Sequence, residues 1–535
     1  MKVFKAITFC AVLAAGTASL TAGQDDEAIL HVLGRIGFGA RPGDVDRVRA
    51  MGLEKYIASQ LSPSSIPDEA VEQKLSAFQT LDLSSSEIAS RFYTPPQQRN
   101  AQQARQPNRA QGAPQMAPPP TEPGQMPAPA PAEMRQRQQA NLPLIELSQQ
   151  KLLRAVYSER QLEEVLVDFW FNHFNVFAGK GQFARFYLTE YEREAIRPHV
   201  LGNFREMLGA TAESPAMLWY LDNWMSAAPE MNPVDYSRFR PGARRRTGNN
   251  QPGSMQQPAR PARGLNENYG RELLELHTLG VDGGYTQKDV IEVARAFTGW
   301  TIEAPRRGGG DFTFNDRIHD KGEKIVLGHR IPANGGRRDG ELVLDIVARH
   351  PSTAKHIARK LVTRFVCDTP PPALVDRVAK VFLDSDGDLK KVTRAIVTSP
   401  EFMSAEARRA KVKTPFEFVV SAMRATGADV RNAAPLVQQL RTLGMPLYGA
   451  QPPTGYSDRA VTWVNSGALI NRMNFAVALV ANRLPGTRVA PATVDPDTVV
   501  SQDTLSPGTR ATVAKATDKP KQLVLLLGSP EFQKR

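Results

Sequence analysis

The chain has 535 residues, a formal charge of +12 and two cysteines, Cys10 and Cys367. That length suffices for a large core, and two cysteines exclude a disulfide framework. The charge does not describe a nucleic-acid groove, because most of it falls in two Pro/Gln/Arg-rich stretches, 93–142 and 226–263, leaving a near-neutral remainder.

At the start, Lys2 and Lys5 precede the apolar run Ile7–Gly16, and small residues continue through Ala18, Ser19, Thr21, Ala22 and Gly23. Charge, length and order are those of a secretory signal peptide over 1–23, so the protein is expected to be exported, to the periplasm or beyond the cell. Cys10 would leave with it. No later segment has the ~20 uninterrupted apolar residues of a membrane span.

Helices are expected over 27–34 and 43–60. Residues 93–142, with runs such as Ala117-Pro118-Pro119-Pro120, hold too few large apolar side chains to offset their ordering entropy. They read as a disordered loop insertion, as do 226–263, which contain Arg244-Arg245-Arg246. As flexible cationic arms they could still bind an anionic surface or polymer. Between them come helices over 145–157, 160–177 and 183–196. A helix over 265–279 has Asn266 placed to cap its start and Gly280 to stop it. Thr286 with Asp289 resembles a capping box opening 287–298. Residues 311–331 read as a β-hairpin, and Trp300 reads as core. Further helices fall at 340–349, 353–366, 372–383, 388–397, 415–426, 434–443 and 466–482. The expected fold is mainly α: one large multi-helix domain over 24–535, with a small β-hairpin and two disordered loop insertions. One echo recurs: Ser399-Pro400-Glu401-Phe402 and Ser529-Pro530-Glu531-Phe532 each follow an apolar helix, which Pro would end while Phe folds back.

Standard catalytic signatures are absent: there is no GxSxG, Walker loop, HExxH or CxxC. Asp384-Ser385-Asp386-Gly387-Asp388 begins like a calcium loop but lacks the Gly and Glu that should follow, so Asp388 reads as a helix cap. Two helices break the apolar pattern. At about 100° per residue, His173 falls amid Leu162, Leu166, Phe169 and Val176. Likewise Glu272 falls amid Leu265, Tyr269, Leu276 and Leu279. A buried ionisable group needs a partner, and these two are expected to be each other's. Asn172, Asn268, Arg271 and Glu275 would line the same polar pocket. Such a pair could be an acid/base or metal site inside a helical bundle, or a polar network that fixes helix register. His319 and Asp320 could close over the pocket mouth as further catalytic groups, or form a charged turn. His277 reads as a helix-end histidine, and His31, His329 and His356 receive no role. No cofactor or metal is specified.

Four blocks carry a family resemblance. They are Leu33-Gly34-Arg35-Ile36-Gly37-Phe38-Gly39-Ala40-Arg41-Pro42; Phe169-Trp170-Phe171-Asn172-His173-Phe174; Asn268 to Gly280, continuing through Gly283-Gly284-Tyr285-Thr286-Gln287 to Phe297-Thr298-Gly299-Trp300; and His319-Asp320 with Lys324 and Gly328. The chain resembles the bacterial family named domain of unknown function 1800 (DUF1800) over nearly its whole mature length. The resemblance implies an exported, largely helical protein, often encoded beside an exported sulfatase-like or phosphatase-like protein that would be its partner. It supplies no established catalytic residue. Two readings follow: a secreted or periplasmic hydrolase with a buried His/Glu site, or a non-catalytic binding or assembly partner of another exported protein.

Overall fold

The computed structural model describes residues 26–93, 131–228, 264–304 and 309–535. The expected signal peptide lies outside the described residues, as do most of the two expected insertions. The fold is mainly α, helices packed on helices around one continuous apolar core that runs from Ile29 to Phe532.

Local rules account for many helix boundaries. Asn266 caps Glu267–Glu272 by accepting from Asn268 N, and Thr286 and Asp289 form the reciprocal capping box of Gln287–Ala296. Asp388 caps Leu389–Val397 through Lys391 N, which is the role the calcium-like run was expected to have. Ser399 and Ser529 each accept from the amide of the Phe three residues on, at 3.1 Å, so Ser-Pro opens a new turn that buries Phe402 and Phe532.

Several expectations need correction. The expected 43–60 helix is two, Asp44–Met51 and Leu53–Gln60, because Gly52 sits at φ 90 between them. Helix 160–177 ends earlier, as Gln161–His173. Residues 131–142, assigned to the first disordered insertion, belong to the helix Pro131–Tyr157. Ser226, Ala227 and Ala228, assigned to the second, are buried. The helices Phe204–Glu213 and Pro507–Ala514 were not anticipated.

The strands among the described residues form three antiparallel pairs instead of one hairpin. β1 (Trp300–Ile302) pairs with β2 (Phe312–Phe314), β3 (Lys324–Val326) with β4 (His329–Ile331), and β5 (Asp429–Val430) with β6 (Thr487–Arg488). Trp300 is in the core, as expected, but as a strand residue.

Candidate functional site

His173 ends its helix 1 % exposed. Phe174, Trp170, His356 and His277 surround it, with ring centroids 4.5, 5.3, 6.2 and 6.3 Å away. Its Nε2 lies 3.1 Å from the His277 carbonyl oxygen. A carbonyl only accepts, so Nε2 carries the proton, and Nδ1 has no hydrogen-bond partner among the described residues. Burial first, then the charges of Lys360, His356 and His277, push the His173 imidazole well below its ordinary value. His173 is therefore a neutral donor. Burial and Lys360 likewise take His277 down to about 3 and His356 to about 4.

The acceptor explains the arrangement. The helix Glu267–Glu272 continues into a π turn, Leu273–His277, whose last carbonyls lack onward helical amides. Thr278 Oγ1 donates to the Leu273 carbonyl (2.5 Å) and Gly280 N to that of Leu274 (3.2 Å). His356 Nε2 lies 3.3 Å from the Leu276 carbonyl, and His173 Nε2 serves that of His277. Two histidines from distant helices thus cap one helix end. Gly280 turns away at φ 88, and a Cβ there would collide with His356 Nδ1.

Glu272 is not the partner of His173. A π turn carries one more residue than an α turn, so the face rotates. Tyr269, Leu273, Leu274 and His277 are buried, while Glu272, Arg271 and Glu275 are half-buried and Asn268 is exposed. Burial, then the neighbouring Glu275 carboxylate, raise the Glu272 carboxyl; Arg271 opposes them. Arg271 donates to Gln287 Oε1 (2.8 Å), Glu275 accepts from Tyr285 (3.4 Å), and Asn268 Nδ2 reaches the Leu221 carbonyl (3.4 Å). The expected common pocket of His173, Glu272, Asn268, Arg271 and Glu275 is not assembled.

His319 and Asp320 belong to a second network. His319 Nδ1 lies 2.7 Å from the Thr298 carbonyl and Nε2 3.2 Å from Asp339 Oδ2. Lys324 Nζ donates to the carbonyls of Asp320 (2.6 Å) and Gly322 (2.8 Å) and to Asp339 Oδ2 (2.7 Å). Asp320 takes both arms of Arg295, at 2.8 and 3.0 Å. Burial would raise both carboxyls. Arg295 and the Gly322 amide hold Asp320 below its ordinary value, and His319 and Lys324 hold Asp339 below its own. This network ties the turn before β3 to the helices Gln287–Ala296 and Arg338–Ala348. Asp339, which completes it, lies on a helix the sequence marks only by its apolar stripe.

Asn172 and Asn175 hold a loop. Asn172 Nδ2 donates to the Tyr456 carbonyl and its Oδ1 accepts from Tyr456 N, both at 2.7 Å. Asn175 Nδ2 donates to the carbonyls of Ala450 (3.0 Å) and Pro452 (2.9 Å). Beneath lies a cavity of about 40 Å³ edged by Lys151, Asp168, Arg364 and Asp458. No group of three or more His, Cys, Asp or Glu among the described residues is arranged to hold a metal ion.

The profile of a family described as "Protein of unknown function (DUF1800)" matches residues 31–534. The chain belongs to the DUF1800 family. No curated protein and no solved structure matches it. The four blocks of this DUF1800 chain are joints of the fold. In the first, Arg35 donates to the carbonyls of Phe365 and Ala407, and Phe38 N donates to Gln161 Oε1. The second supplies His173 and the Asn172 clamp, the third the capped π turn, and the fourth the His319–Lys324 network.

Proposed function

We propose that this DUF1800 protein is an exported binding or assembly protein that docks a partner on the helix Ser466–Val480. The carrying observation is an apolar, uncharged face. Val461 is 83 % exposed, Val464 63 % and Ile470 58 %, with Leu469, Met473 and Val477 beside them. The only charged residue of that helix, Arg472, points inward, 3 % exposed, bonded to Gln533 and to the Lys413 carbonyl. Asn471 and Asn474 are polar residues exposed among them, and clustered exposed apolar side chains mark interaction sites. An open groove of about 510 Å³ adjoins the face, lined by Val477, Val480, Val524 and Leu525 with Lys515 and Lys521 at its edge. Those lysines favour an apolar segment flanked by carboxylates. On this reading His173, His319 and Asp320 serve the fold. Among the described residues no helix is long and apolar enough to cross a membrane.

The partner suggested by the family resemblance is the exported sulfatase-like or phosphatase-like protein encoded nearby. The test is co-purification of the two full-length proteins from the cell envelope, with sequencing of the mature N-terminus. A stoichiometric complex that an Ile470→Asp/Met473→Asp variant loses while keeping its melting temperature is the expected result. Self-association through the same face would replace that partner by a second copy. A complex indifferent to both substitutions would overturn the proposal.

A further inference from the structure

The interior near Lys413 is short of negative charge. Lys413 is 8 % exposed, and its Nζ has three protons but one hydrogen-bond acceptor, Ser421 Oγ at 2.7 Å, with the Phe532 ring 3.7 Å away. No carboxylate among the described residues lies within ion-pair distance of it. The acid whose charge acts on it, Glu417, is already shared between Arg364 (2.6 Å) and Arg535 (2.9 Å). Three neighbouring cations bond only to uncharged oxygens. Arg35 holds the carbonyls of Phe365 and Ala407, Arg409 that of Thr504, and Arg472 the Gln533 amide and the Lys413 carbonyl. Arg535 Nε and Arg35 Nε are buried without a hydrogen-bond partner among the described residues.

A buried cation without a counter-charge is unfavourable, so three together, Lys413, Arg35 and Arg472, with the half-buried Arg409 beside them, need an explanation. Burial, with Arg535, Arg472 and Arg409, brings the Lys413 ammonium down to about 7, against the pull of Glu417. The cluster opens on a cleft of about 110 Å³ between residues 27–40, 408–425, 497–504 and the 531–535 segment. Lys413, Ser421, Arg408, Arg409 and Arg535 line it. The acids on its wall are occupied: Glu27 pairs with Arg408, Glu531 accepts from Ser506 N and Thr509, and Asp497 accepts from Gln502 N.

We propose that this cleft is a binding site for a small oxyanion of phosphate size, held by the Lys413 ammonium with the Ser421 hydroxyl and the Arg409 guanidinium. The anion would give Lys413 its missing acceptors and supply the charge that Glu417 cannot. Gly39, at φ 98, where an added Cβ would lie 3.4 Å from Ser421 Oγ, keeps that wall free of a side chain. This site is separate from the docking face and does not depend on it.

Calorimetric titration of the full chain with inorganic phosphate, against sodium chloride at matched ionic strength, tests the assignment. Saturable one-site binding is expected, weakened about tenfold or more in Lys413→Met by loss of a charge-assisted contact. Without phosphate, Lys413→Met should melt at the same temperature or higher, because it removes an uncompensated buried charge. A merely structural lysine would give the opposite sign. Ser421→Ala, on a helix that accepts alanine, should keep the fold and bind phosphate more weakly. Absence of saturable heat in the unaltered protein, equal affinity in Lys413→Met, or a lower melting temperature for that variant would each overturn the proposal.

Discussion

His173 Nε2 lies 3.1 Å from the main-chain carbonyl of His277, and that hydrogen bond, not a carboxylate, accounts for an imidazole in the core. It joins the end of one helix to the end of another, and its donor must remain neutral in the folded state.

Acid should therefore unfold the protein before its carboxylates titrate. His173, His277, His356 and His31 are all held below the ordinary histidine value, chiefly by burial, with His277 and His31 at about 3 and His356 at about 4. For a histidine whose folded value is depressed, the stabilisation is complete above about pH 6.5 and is lost as pH falls toward the folded value. Each fully buried ring contributes up to about 1.4 kcal/mol per pH unit in that window, and the half-buried His356 less. Urea unfolding at pH 7.5, 6.0 and 5.0 should show a steep decline, flattened in His277→Phe. A flat profile across that range would be incompatible with four neutral histidines.

Lys324 and Asp339 make a buried pair at 2.7 Å. Lys324→Met or Asp339→Asn alone should cost up to about 3–5 kcal/mol, since each takes the closest opposite charge from a group that stays buried, leaving Asp339 only His319 among the described residues and Lys324 chiefly the carbonyls of Asp320 and Gly322. Lys324→Met combined with Asp339→Leu should recover part of that loss. Two additive single effects in chemical denaturation would show that the two groups act independently.

Glu272→Gln should leave stability unchanged or slightly raised at pH 7.5. The folded state disfavours this carboxylate through burial and Glu275, so removing its charge relieves a penalty that is present at neutral pH and vanishes in acid. A marked fall in melting temperature would mean that the carboxylate has a partner on which the fold depends.

Asn172 clamps both polar backbone groups of Tyr456. Asn172→Ala should cost about 1–3 kcal/mol by stranding them, and faster amide exchange at Tyr456 should accompany it. Unchanged exchange there would show that the loop is held by other contacts.

The helical class and several helix starts were legible because they follow from short-range rules. Asn266, Thr286 with Asp289, Asp388 and the two Ser-Pro-Glu-Phe turns all act within three residues. His173 was legible as an ionisable group on an apolar stripe. Its partner was not, for a main-chain carbonyl leaves no mark in the sequence. Glu272 was misplaced because a constant 100° step cannot anticipate the π turn that begins one residue later. His319 and Asp320 stand out in the sequence, but their partners, Thr298 and Asp339 for His319 and Arg295 for the Asp320 carboxylate, come from segments that only the tertiary fold brings near. Trp300 was missed as a strand because its partner, Phe314, lies across a connection of irregular length.

The π-turn cap also bears on the order in which the chain assembles. His173 and His356 reach their carbonyls across 104 and 80 residues of sequence. A nascent helix at 267–277 cannot recruit either cap from its own surroundings, so its end stays frayed until both distant helices have docked. Closing such long loops is the slow part of folding. The segment should thus consolidate late, and losing either imidazole should hasten unfolding far more than it delays folding.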